Sequence, residues 1–344
     1  MAGSGPEPAV PRVVVVGAGA WGTTLAALVG RVEPVLLLCR DAAQARDTQS
    51  SRRNERRLPG IELPATLVAE SDPARIGPQV ELVIVAVPST HLRAEIARVA
   101  PFVPLGADVL SVVKGIEPGT LLRMSEVIAE SGGVGPEKIA ALSGPNLADE
   151  IARGLPASAV VASPDLSLAE RIADRLGRRE FRLYVNADIL GVELCGALKN
   201  IVAIAAGAAD GLGFGDNGKA GLLTRGLAEM MRLGTAAGAN PLTFAGLAGI
   251  GDLIATCGSR LSRNHRLGVE LAQGRSWSEI EGNLPGTAEG AYTVGPALAL
   301  ADRLGVEMPI AREVQRALFE GKSVQRCLVD LLSRESRDEL GGLA

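Results

Sequence analysis

The chain has 344 residues, 47% of them hydrophobic and 3% aromatic, with 42 glycines. This composition suits closely packed α/β layers rather than a disordered chain, and the length suits two domains. The net charge of −4 gives no electrostatic case for nucleic acid or an anionic membrane as a partner. The cysteines are far apart and lack CxxC spacing, which predicts reduced thiols and neither a disulfide framework nor a metal site; they are Cys39, Cys195, Cys257 and Cys327.

The first residues, 1–11, are rich in glycine and proline and predict a flexible tail. Residues 13–30 carry no charge and reach the length of a membrane-helix candidate. Glycines at turn positions interrupt this stretch, and no positively charged segment precedes it, as a signal peptide would require. We therefore expect a soluble chain with no stable membrane insertion.

A valine run, 13–16, leads directly into a glycine-rich turn. β-Branched residues of this kind favour a central strand that is covered on both faces. Gly17 permits a tight turn, Gly19 permits close approach to a pyrophosphate, and Gly22 permits helix–strand packing. Residues 23–29 then predict a helix whose first N–H groups face that anion. The pattern predicts a dinucleotide site; the alternative is a glycine-rich turn between two packed elements.

Strands and helices alternate along the next 160 residues, which predicts a mostly parallel sheet with right-handed crossovers. The predicted strands are 34–38, 81–87, 109–113, 139–142, 157–162 and 181–185, and the predicted helices are 89–99, 120–130, 146–152 and 166–176. After residue 188 only helical patterns remain, at 189–209, 218–237, 244–256, 265–273, 293–304 and 309–320. We predict an α/β fold, with a Rossmann-like doubly wound parallel sheet in residues 12–187 and an all-helical domain in residues 188–344.

Ligands in such sheets bind beyond the carboxyl ends of the strands, so polar residues there are site candidates. Arg40 follows the second strand, where an NAD site usually has a carboxylate, and it could hold the 2′-phosphate of NADP instead. Lys114 follows a later strand and could hold a substrate anion. The alternative for each residue is an ordinary surface cation. The arginines between residues 51 and 57 could bind phosphate, although a solvated helix face or loop is favoured.

The next candidate loop runs from Ser143 to Asn146, between a strand and a helix. Asn146 is an N-cap candidate, and the loop could direct backbone N–H groups toward a ligand. The same residues could also form only a strand-to-helix turn.

The helical half contributes a lysine in an unusual setting. Lys199 and Asn200 interrupt an apolar helix, and a buried lysine needs a partner or a lowered pKa, both of which are properties of catalytic lysines. The alternative is a lysine that extends from the helix to solvent. Asp252 offers a carboxylate, and Arg263 between Ser262 and Asn264 suits a phosphate.

Neither of the two histidines, His91 and His265, has an evident Asp or Ser arrangement around it. We therefore expect no histidine-based mechanism.

Together these motifs closely resemble bacterial NAD(P)-dependent glycerol-3-phosphate dehydrogenase, from about residue 13 to residue 330. The matching segments are GAGAWGT (17–23), VPS (87–89), VVKGIEPGT (112–120), SGPNLADEIARGLP (143–156), GVELCGALKNIVAIAAG (191–207), DGLGFGDNGKAGLLTRGLAEM (210–230), GLAGIGDL (246–253), SRN (262–264) and LGVEMPI (304–310).

The resemblance implies reversible reduction of dihydroxyacetone phosphate to sn-glycerol 3-phosphate with NADP or NAD as cofactor, for glycerophospholipid synthesis. It makes Lys199 the proton donor and acceptor, and it further implies a small-molecule phosphate substrate, a homodimer and a cytoplasmic location. The implied substrate contacts are Lys114, Gly144, Asn146, Lys199, Asp252, Ser262, Arg263 and Asn264. The implied cofactor contacts, with the glycine turn Gly17, Gly19 and Gly22, are Ala20, Trp21, Arg40, Lys114, Ala148, Arg263, Thr287 and Glu289.

The sequence departs from the family pattern at two places near the site. Ala20 stands where the family often has Ser, and Asn146-Leu147 replaces the more usual Ser/Thr-Phe. Two other functions remain open at this point. One is a related two-domain reductase that acts on a hydroxy acid or keto acid, and the other is a non-catalytic nucleotide-binding sensor.

Overall fold

The computed structural model describes residues 10–284 and 286–333. The strands are β1 Val13–Val16, β2 Val35–Leu38, β3 Arg53–Asn54, β4 Leu58–Glu62, β5 Leu67–Glu70, β6 Leu82–Val85, β7 Asp108–Ser111, β8 Ile139–Ser143, β9 Ala157–Ala162 and β10 Phe181–Asn186. The helices of the sheet region are α1 Ala20–Gly30, α2 Ala42–Ser51, α3 Leu92–Val99, α4 Met124–Gly132, α5 Ala148–Ala152 and α6 Leu166–Leu176. Those that follow are α7 Ile189–Gly211, α8 Gly215–Ala236, α9 Pro241–Phe244, α10 Asp252–Gly258, α11 Arg263–Ala272, α12 Trp277–Glu281, α13 Glu289–Leu304, α14 Pro309–Phe319 and α15 Val324–Leu332.

Eight strands form one sheet in the order β10-β9-β8-β7-β6-β1-β2-β5. β1 is central, and all four of its valines are fully buried, as expected for β-branched residues covered on both faces. Val13 pairs with Val35 on one side and with Leu82 on the other, in parallel register. Apolar clusters cover the two faces of the sheet, so the predicted doubly wound architecture is confirmed.

One pair of neighbouring strands runs antiparallel, namely β8 and β9. The chain turns back after β8 through the short helix α5, so β9 starts at the edge where β8 ends, and β10 runs parallel to β9. The six strands other than β9 and β10 share one direction, β8 among them. Their carboxyl ends therefore meet at a single edge of the sheet. That edge is where a ligand crevice is expected in an open α/β sheet.

The remainder of the described chain is helical and is organised around α7. This 23-residue helix is long and apolar enough to cross a membrane by length and composition, but 83% of its apolar window is buried under the surrounding helices. A second stretch, Pro241–Gly258, passes the same test, with 44% buried. Burial inside a helical layer is typical of a core helix in a soluble protein. The uncharged stretch at residues 13–30 is a strand, a turn and the 11-residue helix α1.

Several local expectations were wrong or incomplete. The region between the second strand and β6 holds α2, the β3–β4 hairpin and β5, none of which the sequence pattern predicted. In the arginine-rich segment, Arg52 ends α2 with a φ of +56° and donates to the carbonyl oxygens of Leu67 and Pro64, which is a structural role. The predicted 244–256 helix is interrupted by a π-helical turn, Leu247–Gly251.

The division into domains at residues 187 and 188 stays a prediction, although β10 ends at Asn186 and α7 begins at Ile189. Most of the predicted tail, residues 1–9, and the end of the helical half, residues 334–344, lie outside the described residues.

Candidate active site

The glycine turn after β1 has the geometry that its sequence predicts. Gly17 has a φ of +108°, and a methyl group placed on it would lie 2.5 Å from the Ala86 carbonyl oxygen. A methyl group on Gly22 would lie 2.0 Å from the Gly17 oxygen, so α1 packs directly on the turn. Gly19 faces open space, and the first turn of α1, which begins at Ala20, carries no acidic residue. A helix N-terminus beside open space is suited to an anion.

The other predicted cofactor contacts of the sheet half lie around this turn. Arg40 is exposed directly after β2, and within residues 10–284 and 286–333 it makes no hydrogen bond or ion pair. Trp21 packs edge-on against Phe181 at 6.1 Å, so at least part of its role is structural. Ala148 begins α5, and its carbonyl oxygen accepts a hydrogen bond from Thr24 Oγ1 at 3.1 Å.

Three charged side chains from distant parts of the sequence meet at the sheet edge. Lys199 Nζ on α7 lies 2.9 Å from Asp252 Oδ1, and Lys114 Nζ lies 2.5 Å from Asp252 Oδ2. Lys199 and Asp252 are 6% and 1% exposed. Lys199 also donates to Thr256 Oγ1 at 2.5 Å, and Lys114 donates to the Gly144 carbonyl oxygen at 3.3 Å. One carboxylate thus holds two ammonium groups, and the helix lysine does not extend to solvent.

Burial lowers the pKa of Lys199 to about 8, because desolvation disfavours the ammonium form more strongly than Asp252 favours it. The neighbouring charge of Lys114 adds to this lowering. The pKa of Asp252 is lowered despite its burial, since both lysines stabilise the carboxylate. A lysine with a pKa near physiological pH can both donate and accept a proton.

Two buried polar side chains beside this cluster lack partners within the described chain. The amide nitrogen and oxygen of Asn146 and the hydroxyl of Ser143 are buried without a hydrogen bond. Asn146 does not cap α5, whose N-cap is Leu147, so the N-cap prediction was wrong. Gly144 between them has a φ of +138°. Buried polar groups without partners are costly unless a ligand or water satisfies them, so this loop is a candidate binding site.

The Ser262–Asn264 motif starts helix α11. The Ser262 hydroxyl accepts from His265 N as the N-cap, which leaves the first N–H groups of the helix directed outward. Asn264 donates to Asn200 Oδ1 at 2.8 Å and accepts from Gly290 N at 2.9 Å. Its side chain therefore joins α11 to α7 and α13. Only its backbone N–H is a candidate contact for a ligand.

Arg263 lines the crevice, where it reaches solvent and yet is crowded by protein atoms. Desolvation lowers the pKa of its guanidinium, and the charge of Glu289 opposes that effect. Glu289 begins α13 and accepts from Ser89 Oγ at 2.5 Å. Burial raises the pKa of the Glu289 carboxyl. Thr287 is half-buried just before this helix. The structure thus brings Arg263, Glu289 and the end of β6 together.

Sequence reasoning missed two features of this region. Thr256 lies one helical turn after Asp252, a spacing that places both on one face of α10 and that the pattern could have revealed. His265 pairs with Asp210 at 2.7 Å, an acidic partner that the sequence pattern did not reveal. The two residues are 55 positions apart, and only the crossing of α7 and α11 brings them together.

Two family models together cover nearly the whole described chain. Residues 12–169 match the N-terminus of NAD-dependent glycerol-3-phosphate dehydrogenase, and residues 188–329 match its C-terminus. The chain belongs to this family. The resemblance drawn from the sequence motifs is therefore confirmed.

Proteins that are similar to this chain over nearly its full length bear the name of the same family. A glycerol-3-phosphate dehydrogenase [NAD(P)+] from Frankia casuarinae is 47% identical over 329 residues, which cover 95% of this chain and 98% of the relative. One from Streptomyces coelicolor is 46% identical over the same length. The crystal structure of glycerol-3-phosphate dehydrogenase from Coxiella burnetii has a TM-score of 0.89 and 36% identity, and covers 95% of this chain and 100% of that one. The family thus explains both the parallel sheet and the helical half.

Proposed function

We propose that the protein interconverts dihydroxyacetone phosphate and sn-glycerol 3-phosphate with NAD(P)H or NAD(P)+, and so supplies the backbone of glycerophospholipids. The observation that carries this proposal is the buried Lys114–Asp252–Lys199 cluster at the carboxyl edge of the sheet. Relatives with 46% and 47% identity bear the name of this activity. Retention of the whole cluster argues against a non-catalytic nucleotide sensor.

The residues around the first turn fit a dinucleotide. Open space beside Gly19 and the helix N-terminus at Ala20 would accommodate a pyrophosphate, and Arg40 would meet a 2′-phosphate on an adenosine ribose. Arg263 and Glu289, which meet beside Ser89 beyond the end of β6, would complete the proposed cofactor site. When bound, the nicotinamide supplies or accepts the hydride at C2 of the substrate.

In the reductive direction, negative charge develops on the ketone oxygen as C2 gains a hydride. The Lys199 ammonium stabilises that charge and gives its proton to the oxygen, which leaves a neutral amine that is reprotonated from solvent. In the oxidative direction the amine takes the hydroxyl proton. A pKa of about 8 allows both protonation states near neutral pH.

The neighbours of Lys199 hold its ammonium group in place. Asp252 and Thr256 fix Nζ from one side through bonds of 2.9 and 2.5 Å. Lys114 shares Asp252 and provides a second cation for the substrate oxygens. The Asn146 amide, which has no hydrogen-bond partner among the described residues, is available to bind a substrate hydroxyl.

Arg263 and the first N–H groups of α11 anchor the substrate phosphate in this proposal. A guanidinium bonds phosphate in a bidentate manner, and the Ser262 cap directs the helix amides toward the same anion. Binding energy from the phosphate then positions C2 for hydride transfer. This requirement separates the proposed substrate from hydroxy acids and keto acids without phosphate.

The decisive experiment is a spectrophotometric assay of NADPH and NADH oxidation. Dihydroxyacetone phosphate is compared with unphosphorylated dihydroxyacetone and with a panel of keto acids. The proposal predicts rapid oxidation with dihydroxyacetone phosphate and at most slow oxidation with the other compounds. Preference for a keto acid would favour the related reductases, and no oxidation with any substrate would favour the nucleotide sensor.

We also propose a cytoplasmic homodimer with no nucleic-acid partner. The net charge of −4 and the burial of α7 support a soluble chain. Exposed apolar side chains along the sheet end, Tyr184, Val185 and Leu242, offer a surface that a second copy could cover. Light scattering coupled to size-exclusion chromatography tests this assembly, and a mass of one chain, about 35 kDa, would contradict it.

A further inference from the structure

A second buried charge lies on the helix that carries Lys199. Glu193, six residues earlier on α7, is 6% exposed. Its carboxylate accepts hydrogen bonds from Arg123 Nη1 at 2.5 Å, from Ser125 N at 2.8 Å and from Ser125 Oγ at 2.7 Å. A buried carboxylate is retained only with partners of this kind. None of the roles described above uses it.

The partners of Glu193 all come from the N-terminus of α4. Arg123 is the N-cap of that helix and also bonds Glu126, and Ser125 is in its first turn. The carboxylate thus lies at the positive end of the α4 dipole, where an anion is favoured. Because α4 packs on the sheet, this contact joins the sheet layer to the helix that bears Lys199.

The chain between Lys114 and Arg123 forms a closed loop. Ile116 and Arg123 pair as an isolated antiparallel bridge, and Glu117 N donates to the Leu122 carbonyl oxygen at 2.9 Å. Leu121 has a φ of +61°, a left-handed conformation that is strained in a non-glycine residue. Ile116 and Leu121 pack in the apolar core around α7, which offsets that strain. The loop is therefore attached to the helical half, although it follows a strand of the sheet.

Lys114 is two residues from Ile116, and its side chain runs along α7. A methyl group placed on Gly196 would lie 3.3 Å from Lys114 Cγ. Beyond this contact, Lys114 Nζ bonds one oxygen of Asp252 while Lys199 Nζ bonds the other. The relative placement of the two ammonium groups therefore depends on where this loop lies against α7.

We infer that Glu193 is a positioning residue for the proposed reaction: by holding the N-terminus of α4 on α7, it sets the placement of Lys114 against Lys199 around Asp252. The inference rests on the proposed function, because it concerns the same proton transfer. Loss of the contact lets the loop shift while the glycine turn that would hold the cofactor stays in place. The kinetic effect is then on turnover rather than on cofactor affinity.

The test is Glu193→Gln, which keeps the shape of the side chain and removes its charge. We expect kcat for dihydroxyacetone phosphate reduction to fall roughly tenfold, because small displacements of reacting groups are costly. The apparent pKa of the falling limb of the kcat/KM profile should also move, since Lys199 faces Asp252, Lys114 and Cys257. The Kd for NADPH, measured by fluorescence titration, should stay within about twofold of the wild-type value.

Glu229→Gln is the matched control. Glu229 is also buried and also accepts from the first N–H groups of a helix, those of Ile310 and Ala311 in α14. We expect Glu229→Gln to lower the Tm without changing kcat or the pH profile. If Glu193→Gln behaves in the same way as this control, Glu193 is only a structural residue and the inference is overturned.

Ser125→Ala is a milder variant that decides the question if Glu193→Gln does not fold. It removes one donor to the carboxylate and leaves the backbone bond. A drop in kcat of roughly threefold, with a change in the same apparent pKa as in Glu193→Gln, supports the inference. Unchanged kinetics overturn it. Failure of the proposed function is a separate outcome, in which the wild-type protein itself does not reduce dihydroxyacetone phosphate.

Discussion

Lys199 is buried, and in the proposed reaction its protonation state sets the direction of proton transfer. Burial lowers its pKa to about 8, against the attraction of Asp252. Reduction needs the ammonium form, so kcat/KM for dihydroxyacetone phosphate should be maximal below pH 8 and fall about tenfold per pH unit above it. Oxidation of glycerol 3-phosphate needs the neutral amine and should rise through the same range. Initial rates in both directions from pH 6 to 10 measure this, and parallel profiles would contradict it.

Arg263 is predicted to anchor the substrate phosphate through its planar guanidinium. Arg263→Lys keeps the charge but loses bidentate bonding, so KM for dihydroxyacetone phosphate should rise roughly tenfold, with a lower kcat. Unphosphorylated dihydroxyacetone should respond much less. Arg266→Lys is the control, one turn later on α11, where an exposed guanidinium pairs with the buried Glu270. Equal losses for both substrates would place Arg263 with the cofactor or the fold instead.

Arg40 is exposed at the end of β2, where a 2′-phosphate would lie. Arg40→Ala should therefore weaken NADPH binding by roughly tenfold and NADH binding much less, because only NADPH carries the additional charge. The Kd for NADH, measured in the same variant, is the internal control for the Kd for NADPH. Equal weakening would show that Arg40 does not select the phosphate.

At the scale of single residues, the sequence predicts chemical types better than partners. A lysine within an apolar helix already indicates a paired or perturbed group, and the structure places it against Asp252, 53 residues away. The partners of Asn264 could not be predicted, because its amide is shared by α7 and α13 through a helix crossing. Asn146 was predicted as a helix cap, whereas its buried amide has no hydrogen-bond partner in the described part of the chain.

At the scale of elements, α7 lies close to the loops at the sheet edge because Gly196 lacks a side chain. A methyl group there would lie 2.8 Å from Ser143 Oγ and 3.3 Å from Lys114 Cγ. Gly196→Ala favours the helix by about 0.5–1 kcal/mol but displaces one of these groups. We expect kcat/KM to fall roughly tenfold with little change in Tm.

Gly221→Ala in α8 is the matched variant for this helix glycine. In the described structure, no neighbouring atom lies within 4 Å of the methyl group that this change adds. It should gain the same helix stability and keep wild-type kinetics. Wild-type kcat/KM in Gly196→Ala would show that α7 and the sheet-edge loops are less closely packed than the structure indicates.

Elements with strong local signals were predicted, and those defined by tertiary contacts were not. The β1–turn–α1 unit follows from four valines and three spaced glycines, and it is present. The two-residue strand β3 is too short for an alternating pattern to appear, and the edge strand β5 lacks the run of β-branched residues that marks β1. The antiparallel direction of β9 depends on how the chain returns after β8, and periodicity contains no such information.

At the scale of the molecule, the proposed site depends on two layers that contribute different chemistry. The parallel sheet provides the glycine turn and Lys114 at one edge, and the helices provide Lys199, Asp252 and Arg263. The alternation of strands and helices predicted the first layer, and the long apolar helices predicted the second. The layers contact each other through the pairs Glu193–Ser125 and Ser89–Glu289. These contacts could not be predicted, because the residues of each pair are at least 68 positions apart in the sequence.

In the proposed reaction, Lys199 transfers the proton during reduction of dihydroxyacetone phosphate. The most direct measurement is the turnover of Lys199→Ala beside wild type, at saturating dihydroxyacetone phosphate and NADPH, with the Kd for NADPH measured in parallel. We expect a loss of roughly 10²–10⁴-fold in kcat with NADPH binding largely unchanged, because only general-acid and electrostatic assistance is removed. A kcat near that of wild type in Lys199→Ala would contradict it.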